Sequence, residues 1–267
     1  YMKNPGVMEN TGTERYNGRL NLEANLKPWL TLGMQIGGYI SNSKVGNADN
    51  VFMYAKDTTP GMVFRAPDGR YGAMSNPEDK AQGGNNPLRT LNSLTGNNRR
   101  ENIRARFSAT IQPVKDLLIN ASYSYEGSHQ QKDTKPVFID LWDFKTNTIA
   151  VNGTGKSYIS DAYDRAERNF WDVTVNYSHR YLQDNLGLKV MAGASAEQYQ
   201  TKGFAATKQD LIDISLGVID AANGEASASG AASDWAMNSY FGRINLDWAS
   251  KYLLEVNLRT DGSSRFA

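Results

Sequence analysis

The sequence predicts an all-β protein, the wall of a transmembrane antiparallel β-barrel with about eight strands. Three observations predict this fold: strands with alternating apolar and polar residues, connections that alternate between short and long, and aromatic residues near strand ends. Alternation gives each strand one apolar and one polar face. The question is therefore whether the apolar faces contact lipid or a second layer of protein.

Alternating residues define four hairpins. The clearest lies at 101–127, where Phe107 and its apolar neighbours occupy every second position on both sides of a short break. All four hairpins lie at about 16–41, 101–127, 169–199 and 239–260. Within the first of them, the pair Gly37-Gly38 predicts a bulge or bend.

The connections between the predicted strands differ in length. Within each hairpin the break spans only a few residues, whereas the loops between hairpins are long, at about 42–100, 128–168 and 200–238. Ordinary loops in compact domains have about 4–6 residues. Outer-membrane barrels combine short periplasmic turns with longer extracellular loops, so the pattern predicts that the long loops are extracellular.

Strand length and aromatic placement also agree with a membrane barrel. Membrane strands need about 9–11 tilted residues, and the predicted strands are close to that length. Trp29 and Trp248 lie beside short turns, whereas Tyr16, Tyr125 and Trp171 lie beside long loops. Aromatic residues at both ends are typical of the two girdles that flank the apolar band of such barrels.

The composition excludes several classes of function. The 29 basic and 28 acidic residues nearly cancel, so no charge argument favours nucleic acid as a partner. Cysteine is absent, which excludes disulfides, thiol catalysis and cysteine zinc sites. No run of residues reaches the length of a membrane helix. The mean hydropathy of −0.56 still suits a barrel, because only alternate strand residues face lipid.

Two hypotheses from other classes compete with the barrel. A secreted soluble β-sandwich that binds carbohydrate would also have alternating strands, and the mid-strand charges Arg104, Lys189 and Glu255 suit bulk water as well as a barrel lumen. The difference between short and long connections favours the barrel. A β-rich hydrolase is disfavoured because no catalytic constellation is recognisable, so we predict that the protein is not an enzyme.

Short motifs give no catalytic, metal or cofactor prediction. Segment 152–158 contains GTGKS, but Ala150 stands where a phosphate-binding loop requires glycine. The segments 46–50 and 161–167 lack the spaced ligands of a calcium loop, although the sequence leaves bound calcium open. We therefore predict no catalytic residue, no metal site and no cofactor.

The first and last residues predict an internal stretch of a larger barrel. The start, YMKNPGVMEN, does not resemble a signal peptide. The long loops would also overload a barrel of only eight strands.

Segment 239–267, SYFGRINLDWASKYLLEVNLRTDGSSRFA, resembles the mid-barrel signature of SusC/RagA-type TonB-dependent outer-membrane transporters. Segments 15–41, 66–72 (APDGRYG) and 83–92 (GGNNPLRTLN) resemble the same family in the expected order. The motif DGSSRF is the most specific part of the match, and the strand patterns are the least specific.

The resemblance implies a plugged barrel of about 22 strands in the bacterial outer membrane, of which residues 1–267 form part of the barrel domain. It implies TonB-dependent uptake of glycans, oligosaccharides or peptides together with a SusD-like surface lipoprotein that covers the extracellular mouth. The plug and the segment that contacts TonB are expected upstream, and neither is present in these residues. A dimer of transporter–lipoprotein pairs is left open.

The predicted extracellular loops carry the candidate substrate- or lid-contacting residues. Their aromatic side chains suit stacking on sugar rings or packing against a lid protein, with packing of the loops onto one another as the alternative. The candidates are Tyr54, Phe64, Tyr71, Trp142, Phe144 and Tyr158. Residues 207–222 also predict a short helix that meets the lid, with Thr207 as its cap and Asp210 three residues on.

Overall fold

The computed structural model of the chain describes residues 1–49, 51–58, 61–73, 86–213 and 215–266. Within these ranges, no helix has the length and apolar character needed to cross a membrane. The elements are β1 (Met2–Asn4), β2 (Thr13–Lys27), β3 (Leu30–Lys44), α1 (Val51–Asp57), β4 (Tyr71–Gly72), α2 (Pro87–Asn92), β5 (Leu94–Val114), β6 (Leu117–Pro136), β7 (Leu141–Asp143), β8 (Thr148–Val151), β9 (Tyr158–Tyr181), β10 (Leu186–Gln209), β11 (Ala226–Trp248) and β12 (Tyr252–Ser263).

Nine strands form one large sheet in the order β1-β2-β3-β5-β6-β9-β10-β11-β12, and β4-β7-β8 form a small second sheet. Every neighbouring pair in the large sheet is antiparallel. Apart from the three-residue β1, this sheet consists of eight long strands. The predicted all-β antiparallel architecture with eight strands is therefore confirmed.

The apolar face of the large sheet is uncovered. Leu20, Phe107, Val173 and Val256, one from each hairpin, are 48%, 46%, 37% and 44% exposed. The buried apolar residues of the described ranges lie away from the middle of this face, at Val51, Ala73, Leu91, Leu141, Ile159, Ala221 and Ala222. Because no second layer of described residues covers the face, the β-sandwich alternative is wrong, and lipid is the environment that suits this face.

The apolar residues form a band that crosses the strands obliquely. Following the paired residues across the sheet from Leu22 leads to Asn238 on β11 and Gly262 on β12. The apolar part of β12, around Val256, therefore lies closer to the short turns than the row that starts at Leu22. Such an offset is what strands tilted by about 35–45° to the membrane normal produce.

The strands extend well beyond the apolar band. Both β9 and β10 have 24 residues, and β5 begins at Leu94, inside a segment predicted as loop. Many residues that were predicted to form loops therefore belong to the strands of the large sheet. Above the band both faces of these strands carry polar residues, so no alternation marks them as strands in the sequence. The extracellular location of this end of the sheet stays a prediction.

The predicted helix at 207–222 is wrong. Strand β10 continues to Gln209, and Thr207 donates a hydrogen bond to Ser160 of β9 at 2.9 Å rather than capping a helix. Asp210 then adopts a φ of 57°, and Leu211 forms a β-bridge with Ala222. The only helical turn described in this segment is a 3-10 turn at Ile219–Ala221. Residue 214 lies outside the described ranges.

The pair Gly37-Gly38 does not form the predicted bulge. Both glycines keep regular pairing with β2, and the register shift of this hairpin lies between Asn25 and Lys27. Gly38 instead allows a close approach of β5, because a Cβ at this position would lie 2.3 Å from the carbonyl oxygen of Asn102.

Substitution of Gly38 by alanine is expected to lower the thermal stability of the barrel wall, because backbone atoms of β5 must move. Gly18, which pairs with Gly38 on β2, is the matched control, since nothing lies within 4 Å of an added Cβ there. Gly18→Ala is expected to be neutral or slightly stabilising. Thermal unfolding of both variants in lipid vesicles measures the difference, and equal transitions would contradict the close approach.

Candidate functional site

The small sheet β4-β7-β8 lies in the connections and brings distant candidates together. Tyr71 and Gly72 pair in parallel with Leu141 and Trp142. Leu141 is fully buried. Gly72 fits because a Cβ at this position would lie 2.1 Å from the carbonyl oxygen of Val63. The close pairing places the Tyr71 and Trp142 segments side by side.

Two arginines stack on the aromatic rings of this small sheet. The guanidinium carbon of Arg70 lies 4.6 Å from the ring centre of Trp142 and 5.3 Å from that of Phe144. The guanidinium carbon of Arg65 lies 5.3 Å from the ring centre of Tyr71. These distances are within the range of cation–π attraction. We call these five residues the loop-aromatic cluster.

Carboxylates hold both arginines in place. Glu9 accepts hydrogen bonds from Arg65 at 2.6 and 2.5 Å, and these bonds hold the pKa of Glu9 below its ordinary value of 4.5. Asp68 accepts from the backbone N–H of Arg70 at 3.0 Å and from its Nε at 2.7 Å. These bonds lower the pKa of Asp68 from its ordinary value of 3.8. The chain start thus contributes to the cluster through Glu9.

Acid is expected to loosen the loop-aromatic cluster. Both carboxyls have a lower pKa in the folded state, so their stabilisation is present at neutral pH. It is lost as the pH falls through the lowered values, below 4.5 for Glu9 and below 3.8 for Asp68. The measurement is tryptophan emission on acid titration: Asp68→Asn should remove a component that the control Glu225→Gln retains. An identical titration in all three proteins would contradict the arrangement.

Asn86 connects this cluster to helix α2. Its amide donates to the carbonyl oxygens of Phe64 at 2.6 Å and Gly72 at 3.1 Å. Its side-chain oxygen accepts from the backbone N–H groups of Leu88 and Arg89 at 2.9 and 3.1 Å, which caps the helix. Asn86 is completely buried. It belongs to the segment GGNNPLRTLN, of which residues 83–85 lie outside the described ranges.

The structure gathers some of the six aromatic candidates and separates others. Tyr71, Trp142 and Phe144 share the loop-aromatic cluster. Phe64 is 41% exposed and is connected to the cluster through its carbonyl oxygen, which Asn86 holds. Tyr54 lies in α1 and Tyr158 begins β9. Within the described ranges, no ring contact joins Tyr54 or Tyr158 to the cluster.

A polar groove lies on the face of the large sheet opposite the apolar band. Its volume is about 780 Å³. Charged residues of four strands line it: Arg15, Arg19, Arg104, Arg106, Glu126 and Arg168. We call it the arginine groove. Alternation places Arg104 and Arg106 on the polar face, but the sequence does not reveal that they line one groove with arginines of β2 and β9.

The cross-strand register assembles the arginine groove. Arg19 pairs with Gly37 and Gly37 pairs with Arg104. The same row continues from Arg104 to Glu126 and from Glu126 to Arg168. Gly37 has no side chain, which leaves space between the two arginines that flank it. The only sequence signal of the groove is the arginine content of the polar faces. The strand register is needed to show that these arginines lie in one row.

No cluster of three or more His, Asp or Glu residues placed to hold a metal ion occurs in the part of the chain that the structure describes. The charged residues of the polar face mostly pair with one another or with amides. The site geometry therefore offers hydrogen bonds, cationic groups and aromatic rings, which are the means of binding a solute.

Known proteins resemble the chain over its full length. The TonB-dependent receptor P26 of Formosa agariphila is 24% identical over 277 residues, which cover 100% of this chain and 26% of that protein. The TonB-dependent receptor P39 of the same organism is 21% identical and is covered over 24% of its length. The chain is thus similar along its whole length to part of several TonB-dependent receptors. It spans about a quarter of the length of these relatives. No protein-family model matches it.

Solved structures show the same architecture. The structure of the RagAB peptide transporter has a TM-score of 0.75 and 18% identity, and the match covers 96% of this chain and 28% of that chain. The open-open state of the RagAB peptide importer gives a TM-score of 0.72 and 16% identity, with the same coverage. This likeness shows the fold, so the large sheet is the wall of a transmembrane β-barrel. The arginine groove then faces the barrel lumen.

Proposed function

We propose that the protein to which this barrel segment belongs imports nutrients across the bacterial outer membrane. The observation that supports the proposal is the two-faced sheet: one face is an exposed apolar band, and the opposite face carries the arginine groove. An apolar outer face requires lipid, and a polar grooved inner face suits a passage for a polar solute. The similarity of this whole segment to part of known TonB-dependent receptors supports the same function.

The energy source and the partner follow from the SusC/RagA resemblance. TonB is proposed to act through an upstream segment, and a SusD-like surface lipoprotein is proposed to cover the mouth of the barrel. The substrate is a peptide or an oligosaccharide, and the name of the RagAB peptide transporter supports the peptide. A dimer of transporter–lipoprotein pairs is part of the same proposal. The protein acts by binding and release without covalent chemistry.

The connections at the mouth are proposed to contact the solute or the lid. In the loop-aromatic cluster, Arg65 and Arg70 already lie against the rings, so the cluster offers its exposed edges rather than bare ring faces. Phe64, 41% exposed, offers more free surface. Tyr54 and Tyr158 stay candidates on separate elements.

Uptake in cells tests the proposed function. A strain that lacks the full-length protein is compared with one that expresses it, and both receive labelled peptides or labelled oligosaccharides. We expect accumulation only with the protein, and we expect it to stop when a protonophore collapses the inner-membrane gradient. Equal accumulation in both strains would disprove import. Accumulation that survives the protonophore would disprove dependence on TonB.

A further inference from the structure

We propose that the arginine groove binds an oxyanion, the carboxylate group of the imported solute. The inference rests on the proposed import function and specifies the substrate class of the lumen. It is supported by the charges of the groove, by their hydrogen-bond partners and by the height of the groove in the wall.

The charges of the groove do not balance. Arg104 forms an ion pair with Glu126 at 2.7 Å, and Arg168 forms one with Glu197 at 2.5 Å. The other three arginines bind only neutral side chains within the described ranges: Arg15 donates to Asn17 at 2.7 Å, Arg19 to Asn21 at 3.3 Å and Arg106 to Ser122 at 3.3 Å. None of these three arginines forms an ion pair with a described residue, although Ser122, the partner of Arg106, also donates a hydrogen bond to the carboxylate of Asp172.

Guanidinium groups in this arrangement suit oxyanions. Each guanidinium carries five N–H donors in a planar fork that matches a carboxylate. The single donor bonds to Asn17, Asn21 and Ser122 leave most of these N–H groups free for a solute. Hydrogen bonds from a guanidinium to an oxyanion are charge-assisted and roughly twice as strong as those between neutral groups.

The groove also provides an aromatic surface beside the charges. Tyr39 lines it, and the guanidinium carbon of Arg15 lies 3.8 Å from the centre of the Tyr39 ring. One face of this ring is therefore occupied by Arg15. The combination of guanidinium groups with a ring suits a solute that has both an anionic group and an apolar face.

The height of the groove places it on the path of an entering solute. Its row of arginines adjoins Leu20 and Ala105, in the half of the apolar band away from the short turns. The band continues to Ile103, and polar residues first take outward positions at Glu101 and His129. A solute that enters from the long connections meets the groove as it reaches the level of the membrane.

The variant Arg19→Gln/Arg106→Gln tests the proposal in the full-length protein. Glutamine keeps hydrogen bonding and removes both charges. The control is Arg243→Gln, since Arg243 also lies on the polar face, on β11, outside the groove, where it binds Asn257 at 2.7 Å and pairs with Glu255 at 3.9 Å. The purified proteins are incubated with a peptide digest and with a mixture of uronate and neutral oligosaccharides, and retained members are identified by mass spectrometry.

We expect wild-type and Arg243→Gln proteins to retain acidic members in excess over neutral ones, and the double variant to lose this excess by about tenfold. The two mixtures distinguish a peptide carboxylate from a uronate as the source of the anion. Equal retention of acidic and neutral members by the wild-type protein would overturn the oxyanion site while leaving import intact.

A loss of stability in the double variant without a change in selectivity would also overturn the oxyanion site. If acidic residues elsewhere in the protein neutralise these arginines, the double variant should lose thermal stability and total retention without a change in the acidic-to-neutral ratio. If the wild-type protein retains no solute from either mixture and the cellular uptake experiment is also negative, import and the oxyanion site both fail.

Discussion

Phe107→Arg is expected to destabilise the barrel wall by about 2–4 kcal/mol, because the substitution places a charge near the middle of the lipid-facing band. Phe107 is 46% exposed on the apolar face, and its register partners are Met34 and Tyr123. The measurement is urea unfolding of the full-length protein in lipid vesicles. The loss should be smaller for arginine placed near either end of the band, since the cost depends on depth.

The control for Phe107→Arg is Ser108→Arg on the same strand. Ser108 faces the polar side between Gly33 and Ser122, two small residues that leave room for a long side chain. Ser108→Arg should lower the stability of the barrel wall far less than Phe107→Arg, because the new guanidinium remains in water. If Ser108→Arg is the more damaging variant, the two faces are assigned the wrong way round.

Cysteine labelling distinguishes lipid from a protein layer as the environment of Phe107. Residues 1–267 contain no cysteine, so single cysteines introduced at positions 107 and 108 are the only thiols of this segment. A polarity-sensitive label at 107 should emit at shorter wavelength and be quenched by spin-labelled lipid, whereas the label at 108 should not. Absence of lipid quenching at 107 would exclude the lipid-facing assignment.

Asn86→Ala is expected to open the connection that carries the loop-aromatic cluster. The substitution removes a helix cap worth about 0.5–2 kcal/mol. It also leaves the buried carbonyl oxygen of Gly72 without its donor, at about 1–3 kcal/mol, and removes the bond to the half-exposed Phe64. Local stability should therefore fall by about 2–5 kcal/mol. Native-state hydrogen exchange of residues 61–73 measures the loss, while the strands of the large sheet should keep their protection.

Two variants sharpen the test of Asn86. Asn152→Ala removes the same group from an exposed position and should leave exchange unchanged. Asn86→Asp keeps the oxygen that caps α2 but turns a donor toward two carbonyl oxygens into an acceptor, so it should be as damaging as alanine. If Asn86→Asp behaves like wild type, the cap alone matters and the bonds to Phe64 and Gly72 do not.

Local residue order was sufficient to predict the faces and the pairing of the large sheet. In the segment around Phe107, successive side chains of a strand point to opposite sides, so the apolar face follows directly from the sequence. The short breaks identified which strands are neighbours, because antiparallel neighbours can be joined by a tight turn. At one such break, Ala249 and Ser250 have φ values of 51° and 55°, which is the two-residue turn that matches strand twist.

The pattern was insufficient wherever both faces are polar. Strands β9 and β10 continue past the apolar band, and their polar extensions resemble loop residues because alternation is absent there. At 207–222 apolar residues with near-helical spacing suggested a helix, yet pairing with β9 extended β10 to Gln209. Tertiary pairing decided these segments, since a neighbouring strand satisfies backbone groups whatever the side chains are.

The sequence by itself determined that this protein is an antiparallel β-barrel wall with an apolar side toward lipid. Only the tertiary structure decided which polar residues meet. Arg19, Arg104 and Arg168 lie on three strands that are far apart in sequence, and the register alone brings them into one row. The loop-aromatic cluster likewise joins Arg70 to Trp142 through the pairing of β4 with β7. The reason is that side-chain direction is a local property of a strand, whereas contact depends on how separate strands align.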